Sequence, residues 1–168
     1  FRFVRDNKVG THGPAVSLDG GKSWRWLYPE YRENSREFDY ACPAAGQTVL
    51  FCMGMQYLER DFRAFLREFE KNPALHAGTL CRSRKGREVE LVTIREGEPE
   101  HAVLLTSRHH AGEMMATHAL EGILRFALAD TESGRVFRRH VALHAVPFAD
   151  KDGVEDGDQG KNRMPHDH

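Results

Sequence analysis

Two short apolar runs, Ala102–Thr106 and Val141–Val146, bracket a stretch whose apolar residues recur at helical spacing. That order constrains the fold more than any other feature of the chain. A strand that leads through a helix to a second strand is the crossover unit of an α/β sheet, and it makes the two strands parallel. The run Ala102-Val103-Leu104-Leu105-Thr106 shows no polar alternation, which suits a strand buried on both faces. Met115, Ala119, Ile123 and Phe126 mark the apolar positions of a helix expected from about Gly112 to Ala129. Gly134 breaks it, and Val141 to Val146 reads as a second buried strand. From Asp150 onward the chain is rich in Gly, Asp, Asn and His and reads as loop.

Upstream, the hydrophobic period is different. Pro14 to Leu18 and Lys22 to Leu27 flank Asp19-Gly20-Gly21 and read as a hairpin. Glu37-Phe38-Asp39-Tyr40 alternates, and Gln47 to Met53 suits a buried strand. From Leu58 the period becomes helical. Leu58, Phe62, Phe65, Leu66 and Phe69 form a stripe that ends near Lys71-Asn72-Pro73, because Pro lacks a donor and restricts the residue before it. Thr79–Cys81 and Val89–Ile94 flank a turn at Arg84-Lys85-Gly86 as a second hairpin. The expected organisation is an α/β protein in two parts, with residues 1–55 as part of an N-terminal β-sandwich and residues 56–168 as the α/β portion.

Charge and cysteine content narrow the partners. Lys and Arg number 24 against 25 Asp and Glu, for a net charge of −1. Such a balance gives no general attraction to nucleic acid or to an anionic membrane. The stretch from Arg82 to Arg87 is basic but has no interleaved aromatics, so it reads as a solvated turn. No apolar run approaches the roughly 18 residues that span a bilayer. The three cysteines, Cys42, Cys52 and Cys81, are too few and too odd for a disulfide framework. They read as buried thiols of a protein from a reducing compartment. The chain opens with Phe-Arg-Phe-Val and stops at Met-Pro-His-Asp-His, which reads as a segment cut at both ends.

The chemistry concentrates in Ser107-Arg108-His109-His110-Ala111-Gly112-Glu113, where a strand becomes a helix. Functional groups of open α/β sheets gather at the C-terminal ends of strands. A His and a Glu three apart at such a point can face one metal ion, and imidazole and carboxylate are both zinc ligands. The spacing alone is weak, since a chain with ten His yields about one His-x-x-Glu by chance. His118-Ala119-Leu120-Glu121 repeats it inside the helix. His110 and Glu113 are preferred for their strand-end position and for the small Ala-Gly between them. Glu113 is otherwise a first-turn acid favoured by the helix dipole, and His110 a hydrogen-bonded, half-buried imidazole.

Arg108-x-His110-x-Gly112-Glu113 resembles the Arg-x-His-Pro-Gly-Glu motif of the zinc carboxypeptidases, in particular their cytosolic branch. Glu121-Gly122-Ile123-Leu124 is similar to the Glu-Gly-Leu-Leu of the family helix. The segment from Val146 to Gly157, with Pro147, Asp150, Asp152, Gly153 and Val154, is similar to the family's Val-Pro-x-x-Asn-Pro-Asp-Gly-Val-x-x-Gly loop. Tyr57 with Asp61-Phe62 resembles the first helix of the catalytic domain. Gly13-Pro14-Ala15-Val16-Ser17 with Trp24 and Trp26 resembles the β-sandwich that precedes it. The resemblance implies a zinc-carboxypeptidase-type mixed sheet flanked by helices, with His110 and Glu113 as ligands of Zn²⁺. It implies hydrolysis at a peptide or protein C-terminus, with glutamyl bonds among the candidates, in a cytoplasmic protein.

The sequence also departs from the family. Ala111 stands where Pro is usual, and Asp150-Lys151 where Asn-Pro is usual. The family's Gly-Asn-Tyr-Arg supplies an arginine that polarises the scissile carbonyl, but here Gly157-Asp158-Gln159-Gly160 occupies those positions. Lys161 or Arg163 is then the expected cation, with Arg163 preferred for its permanently charged fork. The third zinc ligand, the general-base Glu, the substrate-capping Tyr and the Asn-Arg pair for the substrate carboxylate fall beyond residue 168. Two alternatives stay open: an N-acyl-amino-acid amidohydrolase of the aspartoacylase kind, which shares His-x-x-Glu, and a non-catalytic binding module.

Overall fold

The Asp19-Gly20-Gly21 turn folds the first hairpin by local hydrogen bonding. The Asp19 carboxylate accepts from the Lys22 and Ser23 amides, both at 3.0 Å, and from the Ser17 hydroxyl. Gly20 and Gly21 take φ of 74° and 83°, a conformation that L side chains avoid. The turn joins β1 (Ala15–Ser17) to β2 (Arg25–Trp26), paired antiparallel with Ala15 opposite Trp26. On its other side β1 pairs with β3 (Leu50–Cys52), giving the order β2-β1-β3. Phe38 and Tyr40 set their rings against Phe51 of β3 at 5.1 Å rather than extending the sheet. This computed structural model describes Phe1, residues 10–30, Arg32 and residues 37–160. The chain divides into two compact units, Phe1–Gln56 and Tyr57–His168.

The second unit begins with α1 (Glu59–Glu68), whose Phe62 and Phe65 are buried. The chain then forms β4 (Leu75–Arg82), β5 (Glu88–Ile94) and β6 (His101–Thr106). There follow α2 (Met114–Leu128), α3 (Glu132–His140), β7 (Val141–Val146) and α4 (Lys151–Asp156). The sheet order is β4-β5-β7-β6. β6 and β7 are parallel, in register from His101 opposite Val141 to Thr106 opposite Val146. β4 with β5 and β5 with β7 are antiparallel. The result is the mixed sheet with helices expected of an α/β fold. Its core joins Phe62 and Phe65, Val92 and Ile94, Leu120 and Leu124, Leu143 and Ala145, and Phe148. Each such aliphatic or aromatic side chain stabilises the fold by roughly 1.5–3 kcal/mol through removal from water.

Several expectations are corrected. β6 is an edge strand, not a strand buried on both faces, and Leu104 is 63% exposed. An apolar run alone does not say how many neighbours a strand has. α2 buries Met114, Thr117, Leu120, Leu124 and Ala127, whereas Met115, Ile123 and Phe126 face outward. Both sets recur at helical spacing, and only the sheet decides between them. Gly134 does not separate the helix from the strand; it lies in the first turn of α3, capped by the Thr131 hydroxyl at 3.1 Å. A Cβ on Gly134 would lie 2.5 Å from the Ala129 carbonyl oxygen, so glycine admits the close approach of the two helices. Of the segment after Asp150, Lys151–Asp156 form the helix α4 rather than loop. Asp150 caps it by accepting from the Gly153 amide at 3.1 Å, and Gly157 closes it at φ 71°. Cys42 and Cys81 are exposed and Cys52 half-buried, so none is a buried thiol.

Candidate metal centre

The site is built where the parallel strands β6 and β7 end side by side. Beyond β6, Ser107 and Arg108 keep company with the chain leaving β7. The Ser107 amide donates to Val146 O at 3.0 Å, and the Ala149 and Asp150 amides donate to Ser107 O and Arg108 O, both at 2.9 Å. The Ser107 hydroxyl donates to Pro147 O. These bonds place residues 107–113 and 147–160 on one end of the sheet, where groups can converge.

Arg108 turns the chain out of the sheet. Its φ of 57° makes it the one non-glycine residue with positive φ among the described residues, a conformation that costs of order 1–3 kcal/mol. Its guanidinium offsets that cost from beneath the turn. The side chain is 2% exposed and donates to Ala111 O through Nε at 3.1 Å and to Tyr57 O through Nη1 at 2.8 Å. It also reaches the Thr117 hydroxyl on α2 at 3.4 Å. Arg108 therefore binds the turn to its own helix and to Tyr57, in the segment that leads into α1.

His110 and Glu113 emerge from that turn. His110 Nδ1 and Glu113 Oε1 are 2.8 Å apart, with the imidazole 16% and the carboxylate 47% exposed. Two donors at that separation share points 2.0–2.2 Å from each, the range of zinc–nitrogen and zinc–oxygen bonds. Their chemistry fits a pair of zinc ligands, while the separation is that of a hydrogen bond between them and shorter than tetrahedral zinc sets between two ligand atoms. Among the described residues no group of three or more His, Cys, Asp and Glu is gathered at one point, whereas a catalytic zinc takes three protein ligands. Lys161 and Arg163, the expected cations, lie outside the described residues, as do His166 and His168.

The second His-x-x-Glu is committed elsewhere. Glu121 accepts from the Tyr57 hydroxyl and from Arg125 Nε, the latter at 2.9 Å, and Arg125 forks onto Glu68 at 2.6 and 2.9 Å. Burial and the Glu121 contact push the Tyr57 phenol above its ordinary range, so it stays a donor. His118 lays its ring edge-on to Tyr57 at 4.8 Å. His109 and His144 meet hydroxyls instead of acids: Thr106 at 2.9 Å and Thr93 at 3.0 Å.

Three features of the site were not expected from the sequence. Arg108 was visible only as a motif letter. Lys151, in place of a proline, is 1% exposed and holds Glu59 and Glu90 at 2.6 Å each, fastening α4 to α1 and β5. The supposedly solvated turn at residues 84–86 holds the other side of α4. Asp152 accepts from Ser83, the Lys85 amide and Arg87, and Asp156 accepts from Lys85 and Arg87. The Arg87 and Lys85 contacts hold the Asp156 carboxyl well below the usual range. Their signal in the sequence was the pairing of a basic turn with an acidic segment 65 residues or more downstream, which spacing does not reveal.

Solved structures of metallo-carboxypeptidases share this arrangement of sheet and helices. One from Burkholderia cenocepacia superposes with a TM-score of 0.71 over 95% of this chain and 43% of that one, at 21% identity. Another, from Pseudomonas aeruginosa, gives 0.72 over 95% and 42%, at 18% identity. At such identities they establish the fold. The family profile of the zinc carboxypeptidases matches residues 62–168, well over half of the chain, and the chain belongs to that family. Among curated relatives, Cytosolic carboxypeptidase 6 of Caenorhabditis elegans is 25% identical over 95% of this chain and 38% of its own length. Cytosolic carboxypeptidase 2 of Danio rerio is 28% identical over 67% of this chain and 17% of its own length. The chain thus spans well under half the length of these relatives. Among the described residues no helix is long and apolar enough to cross a membrane.

Proposed function

We propose that this chain is the part of a cytoplasmic zinc metallocarboxypeptidase that contributes two metal ligands, His110 through Nδ1 and Glu113 through its carboxylate. The observation that carries this reading is the 2.8 Å approach of the two donors at the ends of parallel strands. Zinc, when bound, supplies Lewis-acid polarisation of the scissile carbonyl and lowers the pKa of water. The chain's own residues do the rest of the positioning. Arg108 holds the turn, and the Glu113 carboxylate brings the negative charge. A cation at Lys161 or Arg163 is assigned to the developing oxyanion, where a preorganised charge acts most strongly. The substrate is a peptide or protein C-terminus, in keeping with the relatives' name of carboxypeptidase, and the motif resemblance keeps glutamyl bonds among the candidates.

The test is metal analysis of the full-length protein together with two substrate classes. Stoichiometric zinc that is lost on His110→Ala, with release of the C-terminal residue from hippuryl-type peptides, supports the proposal. Cleavage of N-acyl amino acids in place of peptides moves the protein to the amidohydrolases. A full-length protein that holds no zinc makes it a binding module.

A further inference from the structure

We propose that Gln159 is a positioning residue of the metal turn, and that its carboxamide locks Gly112 between the two donors. This rests on the metal reading of His110 and Glu113. The Gly112 amide donates to Gln159 Oε1 at 2.5 Å, a contact between residues 47 apart in sequence. An N–H can only donate, so the carboxamide oxygen faces the turn and the Nε2 hydrogens point away from it. Gly112 does not take a positive φ, so its conformation does not require glycine. A Cβ there would lie 2.4 Å from Gln159 Oε1, so any side chain at 112 displaces the carboxamide and breaks the bond.

Gln159 makes this contact from a fixed base. It follows α4, whose start is held by buried Lys151 on Glu90 and whose acids are held by the turn at residues 83–87. Past the helix, the Asp158 amide donates to Gly153 O at 2.9 Å, and the Asp158 carboxylate accepts from the Gly160 amide at 3.2 Å. The carboxamide is neutral, so it constrains the backbone between the ligands without adding charge beside a cation. Groups that orient ligands in this way typically tune metal affinity by about 10–100-fold.

The proposal is tested on the full-length protein by two measurements on Gln159→Ala and Gln159→Glu. One is zinc affinity by chelator competition, and the other is hydrogen exchange of the Gly112 amide in the metal-free protein. Gln159→Ala is expected to lose Gly112 protection and to bind zinc about 10–100-fold more weakly. Gln159→Glu keeps an acceptor, and is expected to retain protection and to bind zinc no more weakly than the wild type. Unchanged affinity in Gln159→Ala, or equal impairment in Gln159→Glu, overturns the proposal. So does weakened zinc binding with Gly112 protection intact. If wild-type zinc is lost on His110→Ala while Gln159→Ala binds normally, this proposal alone fails. If the wild type holds no zinc, or His110→Ala keeps it, the metal reading fails and takes this one with it.

Discussion

His118 and Glu121 stand one turn apart on α2, and both turn to Tyr57: the imidazole meets its ring edge-on and the carboxylate takes its hydroxyl. His110 and Glu113 have the same spacing and turn to each other at 2.8 Å. The difference lies in the backbone that carries them. A continuous helix places residues three apart on one face, where the face packs against whatever covers it. The turn after β6 is bent by the positive φ of Arg108 and held from below, so its side chains point out of the sheet end instead. A His-x-x-Glu is therefore a pair of donors only where a break in regular structure aims both side chains at one point.

This contrast can be broken by removing what holds each pair. Arg108→Ala leaves the buried Ala111 and Tyr57 carbonyls without their charged donor. It is expected to cost about 3 kcal/mol in thermal or urea unfolding; a loss below about 1 kcal/mol would mean the turn stands without the guanidinium. Glu121→Ala unpairs the Tyr57 hydroxyl and is expected to cost about 1–2 kcal/mol in unfolding while leaving zinc affinity unchanged. Zinc lost in Glu121→Ala and kept in His110→Ala would reverse the assignment of the two pairs. The smallest effect concerns the base on which Gln159 stands. Asp156 has a folded pKa below its ordinary 3.8, so its contribution to stability is complete above 3.8 and is lost as pH falls below it. The stability gap between wild type and Asp156→Asn should therefore close as pH is lowered through that range. A gap that persists in acid would show that the Arg87 and Lys85 contacts do not matter to the fold.

Much of the second unit was legible as pattern. The shift from short runs to the Phe62–Phe65–Phe69 stripe announces α1, and the apolar runs at 102–106 and 141–146 coincide closely with β6 and β7. The motif letters from Arg108 to Glu113 single out the turn. What could not be read was any choice among equivalent patterns. Met115, Ile123 and Phe126 recur as regularly as Leu120, Leu124 and Ala127, and they ended outside. Gly134 looked like a breaker because the Thr131 cap that starts α3 is a weak signal beside a glycine.

Local chemistry in the chain settles the helical and strand periods and offers two His-x-x-Glu of equal spacing, because each depends on residues within a few positions of one another. The tertiary structure alone decides that β6 lies at an edge, that Glu121 belongs to Tyr57, and that Gln159 reaches Gly112. Those outcomes depend on neighbours 47 or 64 residues away. Contacts at that range are set by how the sheet and helices close-pack, and a one-dimensional pattern of residues carries no record of them.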